Sequence, residues 1–174
     1  MEKHATDFLQ GVSSAGGAEV LVERKYAVRA DFTPCGYFDK NVWYRGVADA
    51  IKLIPRPGGQ GKLSLIVDWK TGGRPDDERK VKEILPQLFL TAAVVMANHP
   101  DVEACRAKFV WLDHGMETAI NVKRSDVPAI WAEILPNVVE LKQAHDQNTF
   151  PAKPSGLCRS FCGVLACQYY GVGA

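Results

Sequence analysis

Gly46-Val47-Ala48-Asp49 and Val67-Asp68-Trp69-Lys70-Thr71-Gly72 are the two runs on which the fold of this chain turns, each embedded in what reads as a β-strand. Residues alternate faces along a strand, so Asp68 and Lys70, two apart, point the same way. A neighbouring strand carrying Asp49 would add a second carboxylate if it pairs at the same level. Two hard oxygen ligands suit Mg²⁺ or Mn²⁺, and a lysine beside them can orient or deprotonate a water. That combination would suit a phosphodiester-cleaving site, and aspartate is disfavoured in apolar strands by propensity and desolvation, which argues against incidental placement. The plainer alternative, two solvent-facing residues near strand ends, stays open on spacing alone.

Outward from these runs, Glu19–Arg29 alternates, with Val20, Val22, Tyr26 and Val28 on one face and Glu23, Lys25 and Arg29 on the other. That pattern predicts a half-buried strand. A turn through Thr33-Pro34-Cys35-Gly36 leads to a second strand, about 42–54. The loop from Pro55 to Gly59 returns the chain into a third, about 62–69. Short connections favour an antiparallel meander. Asp76 and Asp77 look like helix-start residues, followed by helical spacing of Val81, Ile84, Leu85, Leu88, Ala92, Val95 and Met96 as far as His99-Pro100. Pro86 predicts a break, with the longer helix opening there. Lys108–Leu112 reads as a buried strand and Thr118–Val122 as its hairpin partner or an edge strand. Ser125-Asp126 caps a last helix to about Gln147, with a kink at Pro136. A short helix is expected from Met1 to Gln10, and all four tryptophans are expected in the core. The order makes one mixed α/β layer rather than a regular βαβ repeat.

A chain of 174 residues suits one domain, and 47% apolar against 24% charged residues argues against disorder. A net charge of +1 leaves no bulk polycation, so a nucleic-acid partner needs a locally basic groove. No apolar run reads as a membrane span and Met1-Glu2-Lys3-His4 is no signal peptide, so no membrane partner and a cytoplasmic, reducing setting are expected. Cys35 and Cys105 stand alone, whereas Cys158, Cys162 and Cys167 crowd the C-terminus. Three thiolates this close are soft ligands for an iron–sulfur cluster or Zn²⁺; the alternative is three reduced cysteines in a small packed tail. His99, His114 and His145 show no metal-ligand spacing. Gly58-Gly59-x-Gly61 sits in a hairpin and lacks the strand-to-helix setting of a phosphate loop.

Gly46-x-x-Asp49, then Asp68-Trp69-Lys70-Thr71-Gly72, then Gln87-Leu88 on the following helix, resembles the PD-(D/E)XK nucleases. Within them the chain looks most like the RecB-type branch, which includes AddB, phage exonucleases and the iron–sulfur nucleases of CRISPR adaptation. The resemblance implies a restriction-endonuclease-like α/β fold, a mixed β-sheet flanked by helices, as a nuclease core over 1–150 with a Cys-rich tail over 151–174. It implies Asp49 and Asp68 as acidic ligands of Mg²⁺ or Mn²⁺, the backbone carbonyl of Trp69 as a further oxygen, and His4 on the first helix as another ligand. Lys70 would position or activate the attacking water and help neutralise the phosphorane charge, and Gln87 would contact the active site or DNA. Where a tyrosine normally follows Gln87 by one turn, this chain has Thr91. Cys158, Cys162 and Cys167 would hold a 4Fe–4S cluster, with Zn²⁺ as the second choice; the family's fourth cysteine lies upstream of the first helix, and Cys35 reads better as an ordinary thiol. The implied activity is metal-dependent DNA hydrolysis by exonuclease or end-processing action, leaving 5′-phosphate and 3′-hydroxyl ends. Single-stranded DNA or duplex ends would be the substrate, a helicase or recombination protein a partner, and a bacterial or phage-infected cell the setting. The alternative is a catalytically weak nuclease-like DNA-binding module of a larger recombination or replication assembly.

Overall fold

The computed structural model describes residues 17–58, 60–71 and 78–171, with the side chains of 78–80 and 160 outside that description. The expected first helix with His4, and the helix start at Asp76 and Asp77, lie outside the described residues. Three strands come first, β1 (Glu19–Val28), β2 (Tyr44–Pro55) and β3 (Lys62–Lys70), then helix α1 (Glu78–Asn98). Strands β4 (Val102–Trp111) and β5 (Met116–Lys123) follow, then a 3₁₀ turn at Arg124–Asp126 and helices α2 (Val127–Asp146) and α3 (Gly156–Ser160). The sheet order is β1-β2-β3-β4-β5, antiparallel throughout except where β3 and β4 run parallel across the α1 crossover. It is the mixed α/β sheet that the pattern predicts.

The β2–β3 hairpin needs Gly61, whose φ of 74° and whose place against Glu103 and the Asp101 carbonyl exclude a side chain. Every second residue of β3 and β4, from Ser64 and Ile66 to Cys105, Ala107 and Phe109, is turned toward one face and buried. Helix α1 packs on β4 and β1, burying Leu88 and the whole run Ala92–Met96. Five consecutive buried residues mean that this end of α1 is covered on more than one side. Each of Leu88, Val94, Val95 and Met96 contributes about 1.5–3 kcal/mol over its exposed state. The opposite face carries a second cluster of Ala50, Val67 and Val110 with Leu65, Trp69 and Leu112.

Several expectations need correction. Val81–Asn98 is long and apolar enough in composition to cross a membrane, with mean hydropathy 1.2; what it does here is lay its apolar side on the sheet. Helix α1 does not break at Pro86. Both Lys82, whose carbonyl loses its i+4 donor, and Pro86 itself are exposed, where water can take up the freed group. The alternation of β1 fails as well, since Val22 is 61% exposed while Tyr26, Ala27 and Val28 are all buried. Its cause is Glu23, at a φ of 49°, where the ladder skips from Val22↔Ala50 to Arg24↔Ala48. Trp111 and Trp131 are core residues, but Trp43 and Trp69 are only half-buried.

Two polar devices hold the end of α1. Arg124 donates to the carbonyls of Met96 and His99, at 3.3 and 2.8 Å, and to that of Val102. Tyr26 Oη lies 2.7 Å from His99 Nε2, and burial of the imidazole holds its pKa below the usual histidine range.

The chain divides into two compact units at Glu133/Ile134. Within the second, α2 ends at a left-handed Asn148, with Thr149 N–H donating to the Ala144 carbonyl at 2.8 Å. Helix α3 starts at Ser155, whose hydroxyl accepts from Leu157 N–H.

Candidate active site

The β2–β3 ladder stops at Ala50↔Val67. One step further in the same register, Asp49 stands opposite Asp68, and opposed residues on an antiparallel pair point to the same face. At this level the ladder is replaced by a side chain: Asp49 Oδ2 accepts from the backbone N–H of Trp69 at 3.0 Å. On its other side, Asp49 is level with Glu23, the residue that β1 leaves out of the pairing. Asp49 thus sits where both neighbouring strands let go of β2.

Asp68 and Lys70 share a face, and α1 lies over it. The helix delivers Gln87, whose Nε2 donates to Asp68 Oδ2 at 2.8 Å and whose Oε1 accepts from Lys70 Nζ at 3.3 Å. Lys70 Nζ also pairs with Asp68 Oδ1 at 2.8 Å, closing a ring of three side chains. Below the ammonium, 4.9 Å away, is the ring of the fully buried Phe109. Burial raises the Asp68 carboxyl above its usual pKa and the nearby Asp49 charge adds to this, against the opposing pull of Lys70. The ionised Asp68 is therefore electrostatically uncomfortable, and an added cation relieves it.

The donors present suit a hard divalent ion. Two carboxylates on one face, close enough for one charge to be felt by the other, are what Mg²⁺ or Mn²⁺ takes from a protein when water and phosphate complete its shell. Among the described residues no group of three or more His, Cys, Asp or Glu is gathered as a metal-holding set. Any ion here thus rests on the two aspartates, oxygen atoms of the backbone, and groups from outside the described part.

The continuous α1 does carry Glu83, Gln87 and Thr91 at successive turns. Thr91 Oγ1, however, donates to the Gln87 carbonyl at 2.8 Å and is spent within the helix. Cys158, Cys162 and Cys167 are free and partly exposed in the second unit, where Gly171 N–H donates to the Cys158 carbonyl at 3.1 Å. These thiols are not drawn together as a metal set. Cys105 is buried in the sheet, its thiol pushed up to about 12 by desolvation. Spacing along the chain did not point to Phe109 under Lys70 or the Trp69 N–H on Asp49, since both depend on pairing between strands.

Comparison with known proteins bears on what this arrangement is. No curated protein matches the sequence. Among solved structures, the crystal structure of SSO0001 aligns with a TM-score of 0.46 at 16% identity, over 97% of this chain and 69% of that one. A family model, that of the PD-(D/E)XK nuclease superfamily, matches residues 4–168. That match takes in both strand motifs, α1 and the cysteine tail, so the chain belongs to the PD-(D/E)XK nuclease superfamily.

Proposed function

We propose that this protein is a metal-dependent deoxyribonuclease hydrolysing phosphodiester bonds, with Asp49, Asp68, Lys70 and Gln87 as its working residues. The closed ring of Asp68, Lys70 and Gln87, beside an Asp49 set in register with Asp68, is the observation that carries the proposal. Asp49 and Asp68, with the Trp69 carbonyl, would hold a Mg²⁺ or Mn²⁺ ion, which would supply Lewis acidity toward the phosphate and the water. Lys70 contributes a cation that is already oriented. It donates a hydrogen bond that orients the attacking water, and it offsets the charge that builds on the phosphoryl oxygens. Gln87 holds both Asp68 and Lys70 in place before substrate arrives. The buried Phe109 keeps water from beneath the ammonium, which strengthens its field.

Replacing Lys70 by Ala is expected to lower Mn²⁺-dependent cleavage of single-stranded DNA by about 10²–10⁴-fold. The backbone pairing of β3 with β4 does not depend on this side chain, so the circular dichroism spectrum should be retained. Undiminished cleavage by this variant with Mn²⁺ or Mg²⁺ would sink the assignment.

The order of motifs and the C-terminal cysteines support the RecB-type branch, with exonuclease or end-processing action leaving 5′-phosphate ends, in the cytoplasm. Cys158, Cys162 and Cys167 would then bind a 4Fe–4S cluster, or Zn²⁺, once drawn together. A second reading, a nuclease-like module of a larger assembly, is favoured by the apolar surface of the second unit, where Phe161 is 83% and Leu165 73% exposed. Absence of any cleavage with either metal, alongside intact DNA binding, would select it.

A further inference from the structure

On β2, Arg45, Val47 and Asp49 alternate with Gly46, Ala48 and Ala50, and burial follows the alternation. Ala48 and Ala50 are buried, Arg45 is exposed and Val47 is 40% exposed. A single open face thus runs from Asp49 back to the start of the strand. Lys25 pairs directly with Val47 and so joins that face from β1. The loop between β1 and β2 folds over its far end and places two aromatic rings there. Lys25 Nζ is 5.6 Å from the Tyr37 centroid and 5.7 Å from that of Phe38, and the Arg45 guanidinium is 5.4 Å from Tyr37. The rings meet edge to face at 5.1 Å and 84°.

This loop is built. Arg29 binds Asp39 at 2.8 Å, the other oxygen of Asp39 accepts from Asn41 N–H at 2.8 Å, and Asp39 N–H donates to the Gly36 carbonyl at 2.9 Å. Tyr37 is engaged by two cations, whereas Phe38 is 80% exposed. A phenylalanine so placed adds nothing to the core, whose aromatic group uses Phe32, Trp43 and Tyr44 around Trp131.

An open ring with Lys25 beside it, and Arg45 on the neighbouring Tyr37, fits a ligand with flat faces and regularly spaced negative charges. We infer that Phe38, Lys25 and Arg45 form a track for single-stranded DNA leading to Asp49, a base stacking on Phe38 while phosphates meet the two cations. A duplex keeps its bases stacked inside and offers Phe38 no free face. From Arg45 to Asp49 is about 13 Å at ~3.3 Å per strand residue, a reach that a short single strand covers. The inference rests on the nuclease reading for its direction toward Asp49, but the binding it describes is separately measurable.

The test is fluorescence-anisotropy titration of labelled oligothymidylate with metal chelated, so that no cleavage intervenes. Phe38→Ala is expected to weaken binding about ten-fold, with Phe38→Tyr restoring it. Wild type should bind an abasic strand of equal length as weakly as the alanine variant binds oligothymidylate. Lys25→Gln and Arg45→Gln should each lower the slope of log affinity against log salt by about 0.7. Equal binding by wild type and Phe38→Ala, or equal affinity for abasic and base-bearing strands, overturns the track; if wild type still cleaves, the nuclease reading survives that result. Base-dependent binding through Phe38 in a protein that never cleaves supports the track and defeats the nuclease reading instead.

Discussion

Gln87 reaches Asp68 and Lys70 together because a carboxamide carries a donor and an acceptor on one carbon. Neither a carboxylate nor a hydroxyl can do both in the same geometry: one lacks the donor, the other the span. Gln87→Ala is therefore expected to leave Asp49 in place but let Lys70 and Asp68 drift, lowering single-turnover cleavage by about 10²-fold. Thr91→Ala, one turn further on, should change the rate by less than about two-fold, because that hydroxyl is committed to the helix backbone. Equal losses in both variants would show that the helix face, and not the Gln87 ring, is what matters. Asp68 and Lys70 were legible as candidates from their spacing, and Gln87 from the family resemblance. Their contact was not, because Gln87 lies 17 residues beyond Lys70 and meets it only through the crossover.

At the scale of elements, α1 is the piece that must be positioned, since it brings Gln87 to the strands. Its far end is fixed by Arg124, whose guanidinium accepts no proton-sharing alternative: it donates to carbonyls at the last turn of α1, the following loop and the start of β4. A cation there also complements the negative end of the helix. Arg124→Leu is expected to cost about 3 kcal/mol in urea unfolding followed through the buried tryptophans, with little change in the denaturant slope. A loss under about 0.5 kcal/mol would mean that water satisfies these carbonyls equally well. Arg124 stood out in no motif, since its partners are backbone atoms that any residue supplies. Pro86 shows the converse. Local propensity predicts a break in α1, and packing of Leu88 and Ala92–Met96 against the sheet overrides it at a site where the lost hydrogen bond faces solvent.

Over the whole molecule, the two units differ in how they are held. The sheet unit owns the buried residues of both sheet faces, whereas the second exposes Leu141, Phe150, Leu157, Phe161, Val164 and Leu165. Units this small commonly rely on a staple such as a bound metal, or on a partner that covers their apolar side chains. If Cys158, Cys162 and Cys167 bind a cluster, anaerobically purified protein should be brown and contain iron and sulfide, and chelation should make the second unit the first to be cut by protease. A colourless protein free of iron and zinc would end the cysteine-metal proposal and leave a protein partner as the cover. Strand and helix types, and the placing of Asp68 and Lys70 on one strand face, were determined by the sequence by itself, because alternation and helical spacing are local properties of the chain. Only the tertiary structure decided that Asp49 stands opposite Asp68, that β3 and β4 run parallel, and that Tyr37 and Phe38 meet Lys25 and Arg45. Those facts depend on register between distant segments, which is set by which faces are buried together and not by any neighbouring residue.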